Sequence, residues 1–180
     1  MRPQRLRIFV GCEGESEQGY VAFLHRLALT GTAHVHLDGQ LLKGGDPLSR
    51  VEWIIANMKR LENRGTYASR FVLLDHDQVM HDATREQQTQ QLADRHGLTL
   101  LWQRPTHEAL LLRHYDAHRH LRPQTASDAL RHLQQTWQAY VKGQTALQYG
   151  RELSREQVCA AGHGDDAFTA LLTVAGLIAR

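Results

Sequence analysis

Arg7-Ile8-Phe9-Val10-Gly11-Cys12-Glu13-Gly14-Glu15-Ser16-Glu17 is the stretch whose reading decides the fold. Its first half is a short β-branched and aromatic run ended by glycine, the pattern of a strand buried in a parallel sheet. Its second half is a glycine-punctuated acidic turn that reaches Ser16, a residue able to cap a helix carrying Glu17 in its first turn. In open α/β sheets, functional groups collect at the carboxyl ends of such strands, and Glu13 stands at this one. A second stretch, Phe71-Val72-Leu73-Leu74-Asp75-His76-Asp77, repeats the construction. If the two strands are neighbours, Glu13, Asp75 and Asp77 converge at one sheet edge.

Outward from the first stretch, Tyr20, Phe23, Leu24, Leu27 and Ala28 recur at the three-to-four spacing of a buried helical stripe. Ala33 to Leu37 alternates like a strand. Asp46 and Pro47 then supply a cap and a first helical position for a helix over about residues 48–63. Beyond the second stretch, a glutamine-rich polar helix is predicted over about 82–96, stopped by Gly97, and a strand over 98–103. Pro105 opens a helix through Glu108, Leu111, Leu112 and Tyr115. After Pro123 only helices are predicted. One starts at Thr125 and runs through Trp137 to Val141, a short one starts at the Ser154/Gln157 capping box, and the last covers 168–178.

The alternation of strands and helices predicts a mostly parallel four-stranded sheet with right-handed crossovers. The expected fold class is therefore a three-layer α/β core flanked by helices over residues 1–122. A helical extension, residues 123–180, is expected to pack on that core within a single domain.

Composition narrows the function classes. A chain of 180 residues can bury a core unaided, and with 42% hydrophobic and 22% charged residues it reads as an ordinary globular domain. No apolar run is long enough for a membrane span, and the basic start leads into a core strand rather than a signal sequence, so a cytoplasmic location without membrane contact is expected. Two cysteines, Cys12 and Cys159, are too few for a disulfide framework and read as buried, reduced thiols. A net charge of +2 neither demands nor excludes a nucleic-acid partner.

Three carboxylates at one sheet edge repel one another unless a cation holds them, and hard oxygen ligands suit Mg²⁺ or Mn²⁺ better than Zn²⁺. Glu13 is then the candidate for proton transfer beside metal ligands Glu13, Asp75 and Asp77, which points to hydrolysis or transfer at phosphate. The competing reading is local: strand-end aspartates often cap turns, and Glu15 and Glu17 read as first-turn helix acids. Arg104 and His107, flanking the start of the helix after Pro105, are placed to meet phosphate, and Lys43 in its glycine-rich loop is either a phosphate ligand or a solvated lysine. Arg113, with Arg119, Arg122 and Arg131, reads as a nucleic-acid track or a solvated helical face.

Gly11-Cys12-Glu13-Gly14-Glu15-Ser16-Glu17-x-x-Tyr20 resembles the Glu-Gly-x-(Thr/Ser)-Glu-x-x-Tyr signature of the RloB-like family, a compact branch of the Toprim superfamily. Gly45-Asp46-Pro47, Asp75-x-Asp77 and the segment from Pro105 to Tyr115 resemble three further family blocks in the same order, over about residues 6–116. His107, Ala109, Leu110 and Ser16 depart from the usual residues. The resemblance implies a Toprim fold, divalent metal, and nuclease activity on DNA or RNA of the kind associated with prokaryotic antiphage or restriction-linked systems. It assigns catalysis to Glu13, metal binding to Asp75 and Asp77, and an additional pair to Glu108 and His114, although His114 reads equally well as a helix-end residue. A regulatory subunit that binds nucleic acid beside an ATPase partner, and a phosphohydrolase of small nucleotides, are the alternatives. The helical extension reads as a lid, a substrate guide or a homodimer surface.

Overall fold

The structure is a computed structural model, and it describes residues 5–179. Strands β1 (Leu6–Cys12), β2 (Val35–Leu41), β3 (Ser69–Asp75) and β4 (Thr99–Gln103) form one sheet of order β2-β1-β3-β4, every neighbouring pair parallel. Helices α1 (Glu15–Leu29), α2 (Pro47–Leu61) and α3 (Ala83–Arg95) make the crossovers, and α4 (His107–Leu112) follows β4. The extension adds α5 (Ala126–Thr136), α6 (Ala146–Glu152), α7 (Arg155–Gly162) and α8 (Asp166–Val174). This is the expected three-layer α/β architecture with its C-terminal helices.

Strand alternation divides the apolar residues between two cores. Ile8, Val10, Cys12, Phe71, Leu73 and Leu101 face α1, α4 and the extension, whereas Phe9, Val72, Leu74 and Leu100 face α2 and α3. Each fully buried Leu or Phe contributes about 1.5–3 kcal/mol of transfer free energy, so the extension, which completes the first cluster with Leu133, Tyr140, Tyr149, Phe168 and Leu171, belongs to the same core as α1. Cys12 is buried and Cys159 half-buried, both as free thiols.

The caps read from the sequence form as expected. The Asp46 side chain accepts from Ser49 N–H with Pro47 opening α2, and Ser154 with Gln157 closes a capping box on α7. Gly97, at φ +64°, ends the α3 segment in the left-handed conformation that glycine adopts without strain. Other boundaries differ for identifiable reasons. Gly14, whose N–H donates to the Glu17 side chain at 3.1 Å, is the N-cap in place of Ser16, so α1 starts at Glu15. β2 continues past Leu37 because Asp38, Gly39 and Gln40 pair with Phe9, Val10 and Gly11 on an edge strand where polar side chains are tolerated. Asp38 is held there by Arg7 at 2.7 Å and by the Tyr67 hydroxyl at 2.7 Å. α4 ends at Leu112 rather than Tyr115, and α5 ends at Thr136, leaving Val141 exposed in a loop. α6, with the single fully buried residue Tyr149, has no apolar stripe that sequence spacing could reveal.

Candidate active site at the carboxyl edge of the sheet

β1 and β3 lie side by side with Cys12 level with Leu73, so Glu13, just past β1, meets Asp75 at the end of β3. The Glu13 Oε2 accepts the Asp75 backbone N–H at 3.0 Å. Its Oε1 accepts from Gln78 at 3.1 Å and pairs with the Arg50 guanidinium at 3.1 Å. Arg50 lies one turn into α2 and reaches the cluster because Asp46 and Pro47 start that helix beside it. Glu17, expected to serve only the helix start, does so through Gly14 N–H at 3.1 Å but is also buried next to Asp75.

Gln103, at the end of β4 opposite Asp75, ties the cluster together. With its amide nitrogen toward the acids it donates to Asp75 Oδ1 at 2.8 Å and Glu17 Oε1 at 3.2 Å, and its oxygen accepts from His107 Nδ1 at 2.7 Å. The opposite orientation sets a carbonyl oxygen against two carboxylates, so the first is the assignment. Glu108 is buried on the same side, accepting from the Thr106 hydroxyl at 2.8 Å and the Tyr140 hydroxyl at 3.2 Å, with Lys142 Nζ at 3.6 Å.

These environments separate the acids. Burial, followed by the negative charges of Glu17, Glu13, Glu108 and Asp77, pushes Asp75 up to about 9. Burial also raises Glu13, only partly opposed by the Asp75 N–H and Arg50. Glu108 is pushed up by its burial, yet the Thr106 hydroxyl, its own backbone N–H and nearby positive charge outweigh that and leave it below the ordinary range. Burial lowers His107, so that ring is neutral at physiological pH. A protonated and an ionised carboxyl in one site is the arrangement acid–base chemistry uses.

The cluster opens into a cavity of about 350 Å³. Glu13, Glu15, Glu17, Asp75 and Glu108 line it, and Lys142 is the one formally cationic side chain in the lining. Lys142 comes from the extension, on a loop pinned to α1: Gly143 N–H donates to Ser16 Oγ at 2.9 Å and the Tyr149 hydroxyl to the Ser16 carbonyl at 3.1 Å.

Among the described residues no three His, Cys, Asp or Glu side chains are already drawn into a metal cage. Both Glu13 oxygens are engaged by N–H donors. The residues nonetheless fit a hard divalent cation. Asp77 Oδ1 is buried with no hydrogen-bond partner, and burial, reinforced by four like charges, holds Asp75 in its protonated form, so both have unspent capacity for positive charge. Two Arg50 nitrogens, Nε and Nη1, are also buried without partners.

The structure therefore brings Glu13, Asp75, His107 and Glu108 to one cavity, with the Asp77 charge close enough to bear on Glu13 and Asp75. Four expected residues are not part of it. His114 is wholly buried in the core, its Nε2 2.7 Å from the Tyr20 hydroxyl and its Nδ1 3.1 Å from the Leu110 and Leu111 carbonyls. Burial drives its pKa down to about 3, and the neutral ring is a structural link between α1 and α4 rather than an acid or base at the site. Its place six residues after Glu108 had put the two on different helix faces, and the core side claimed it. Lys43 is exposed in the loop before α2. Arg104 and Arg113 line a second cavity, where Arg113 pairs with Asp165 at 3.0 Å. Arg50, Gln103, Tyr140 and Lys142 went unread in the sequence. A cationic residue one turn after the Asp46-Pro47 cap was the available signal for Arg50, and the loop bearing Tyr140 and Lys142 carried none.

Comparison with protein-family models, with curated proteins and with solved structures finds no significant match to the chain.

Proposed function

We propose that the protein is a divalent-metal-dependent nuclease, hydrolysing phosphodiesters of DNA or RNA, as its resemblance to the RloB-like branch of the Toprim superfamily implies. The observation that carries this reading is the meeting of Glu13 and Asp75 at one parallel strand edge, 3.0 Å apart from side chain to backbone, within a cavity lined by five carboxylates. Glu13, Asp75 and Asp77 would hold Mg²⁺ or Mn²⁺. When bound, such a cation acidifies water and offsets charge on the phosphate. Glu13, its affinity for protons raised by burial, accepts the proton of the attacking water. Asp75, protonated because burial and neighbouring charges oppose its ionisation, would bind such a cation as the carboxylate, with its proton released to solvent. Lys142, tethered to Glu108 at 3.6 Å with an exposed side chain, is free to swing to a substrate phosphate. Thr106 and Tyr140 hold Glu108 in place meanwhile.

Pure protein incubated with DNA and RNA in Mg²⁺ or Mn²⁺ tests the reading, with Glu13→Gln as the control. Cleavage that persists in the variant sinks it. Lys142→Ala is expected to raise KM about fivefold with kcat nearly unchanged, since an exposed ion pair of this kind is worth up to about 1 kcal/mol. Steady-state kinetics on an oligonucleotide reads this out.

One observation favours a second reading, a regulatory nucleic-acid-binding subunit acting with an ATPase partner. Glu13 is satisfied by Asp75 N–H, Gln78 and Arg50 with no cation needed. Tight oligonucleotide binding with no metal-dependent turnover, alone or with the partner, distinguishes it. The antiphage setting is a proposal of the same resemblance, and a homodimeric assembly one drawn from the helical extension.

A further inference from the structure

α4 separates two cavities of the same size and opposite character. His107 and Glu108 face the acidic one, whereas Ala109, Leu110 and the following Arg113 line another of about 350 Å³ beside the edge strand β4. We propose that this second cavity binds a nucleoside phosphate, either a free mononucleotide or the terminal nucleotide of a strand. The choice of a nucleoside over other phosphorylated ligands rests on the nucleic-acid reading above. The cavity's own chemistry supplies the rest.

The polar side chains of the lining are Arg104, Arg113, Arg122, Asp165 and the Trp102 indole. Asp165, the one carboxylate, has both oxygens spent: Oδ1 accepts the Phe168 N–H as the cap of α8 at 2.9 Å, and Oδ2 accepts both Arg113 terminal nitrogens at 3.0 Å. The Trp102 Nε1–H is committed to Gln90 at 3.2 Å. Arg104 is engaged from outside the cavity by Glu86 at 2.6 Å and by His76, so the side-chain capacity left over is the remaining guanidinium N–H of Arg113 and Arg122, which calls for a ligand rich in acceptor oxygens. The formal charge of the lining is +2, three arginines against Asp165, and Glu86 outside it offsets Arg104, so among the described residues Arg122 is the arginine of the lining without a carboxylate partner. Guanidinium forks match phosphate geometry better than ammonium does.

The remainder of the lining is apolar, with Leu100, Leu110, Leu121 and Ala167 beside the half-buried Trp102. A bare phosphate would leave that surface wet. An attached base and sugar cover it, and a volume of 350 Å³ is at the small end of ordinary ligand sites. Arg113 is pre-positioned, because its fork is fixed by Asp165 and Asp165 by the start of α8. The rim at Gly164 bears no side chain, and a Cβ there would meet nothing within 4 Å.

Trp102 provides a direct reading that is independent of any cleavage. Titrating the metal-free protein with mononucleotides should quench or shift Trp102 emission saturably, and Trp102→Phe should abolish the signal while calorimetry still detects binding. Arg122→Glu, at an exposed residue whose guanidinium bonds backbone carbonyls of its own turn, should weaken binding about tenfold with the melting temperature unchanged. Ala167→Leu, which narrows the cavity, should weaken it similarly. Inorganic phosphate and the unphosphorylated nucleoside should each bind far more weakly than the mononucleotide. A 5′-phosphorylated dinucleotide binding tighter than the mononucleotide identifies the strand terminus as the source, and equal binding identifies the free nucleotide. Absence of saturable mononucleotide binding, binding unaffected by Arg122→Glu and Ala167→Leu, or preference for an acidic peptide overturns the proposal. Because the readout needs neither metal nor Glu13, its outcome is distinguishable from that of the nuclease reading.

Discussion

Replacing Asp75 with Asn is expected to make the metal-free protein more heat-stable at pH 8 while lowering metal-dependent cleavage by about a thousandfold or more. The stability effect follows from the native carboxyl holding its proton up to about 9 because burial and the charges of Glu17, Glu13, Glu108 and Asp77 oppose ionisation. An unfolded chain releases the same proton near the ordinary value of 3.8. Between those limits the native state binds more protons than the unfolded one, so stability falls as pH rises from about 4 to about 9. Below that window Asp75 is neutral in both states and imposes no cost. Asn removes the cost while its oxygen still accepts from Gln103, and the gain is on the order of 2 kcal/mol at pH 8. For a chain of this length that is a rise of about 4–8 °C in melting temperature.

The difference between variant and wild type should shrink to nothing by pH 4. Millimolar Mg²⁺ should raise the wild-type melting temperature and leave the variant nearly unmoved, since a ligand stabilises only the state that binds it. The loss of turnover comes from removing a carboxylate that only the bound cation can exploit, comparable in size to removing a principal electrostatic group. Calorimetric melts across pH, with and without Mg²⁺, check the first part. A variant no more stable than wild type at pH 8 would falsify the burial argument for Asp75.

Gly19→Ala is expected to destabilise the protein by about 2 kcal/mol or more and to damage activity with it. Helix propensity alone predicts the opposite, since alanine inside a helix is favoured over glycine by about 1 kcal/mol. An added Cβ at Gly19 would stand 1.9 Å from the Gln144 carbonyl oxygen, which belongs to backbone and cannot rotate away. The loop between α5 and α6 must lift from α1. Lifting strains the Gly143–Ser16 and Tyr149–Ser16 hydrogen bonds and draws Tyr140 and Lys142 away from Glu108. A melting temperature lower by about 4–8 °C, together with a raised KM, is the expected outcome. A rise in melting temperature would show that propensity outweighs the packing.

The sheet was legible because its signals are local. Ile8 to Val10 and Phe71 to Leu74 are buried on both faces and read as continuous apolar runs, and the caps at Asp46 and Ser154 follow from short side-chain reach. Convergence of Glu13 and Asp75 followed from a single topological inference, that β1 and β3 are neighbours. What could not be read depends on groups far apart in the chain. Gln103 bridges acids on two other elements through its amide, and a glutamine ending a strand carries no signal of that. Tyr140 and Lys142 reach Glu108 from more than thirty residues away, on a loop without periodicity. The sequence leaves His114 open between the role the resemblance implies and a structural one, because its burial against Tyr20 depends on how α4 seats on α1.

The absence of a Cβ at Gly19 also decides what can be exchanged between proteins that share this architecture. The extension is seated by a glycine of α1, and it returns Tyr140 and Lys142 to the acids, so the two segments are a matched lock rather than a catalytic unit with a replaceable appendage. A chimera that keeps the sheet and imports a foreign helical tail would need to import its own α1 contact surface as well. Otherwise it would keep the carboxylates and Arg50 but lose the Tyr140 and Lys142 contacts to Glu108.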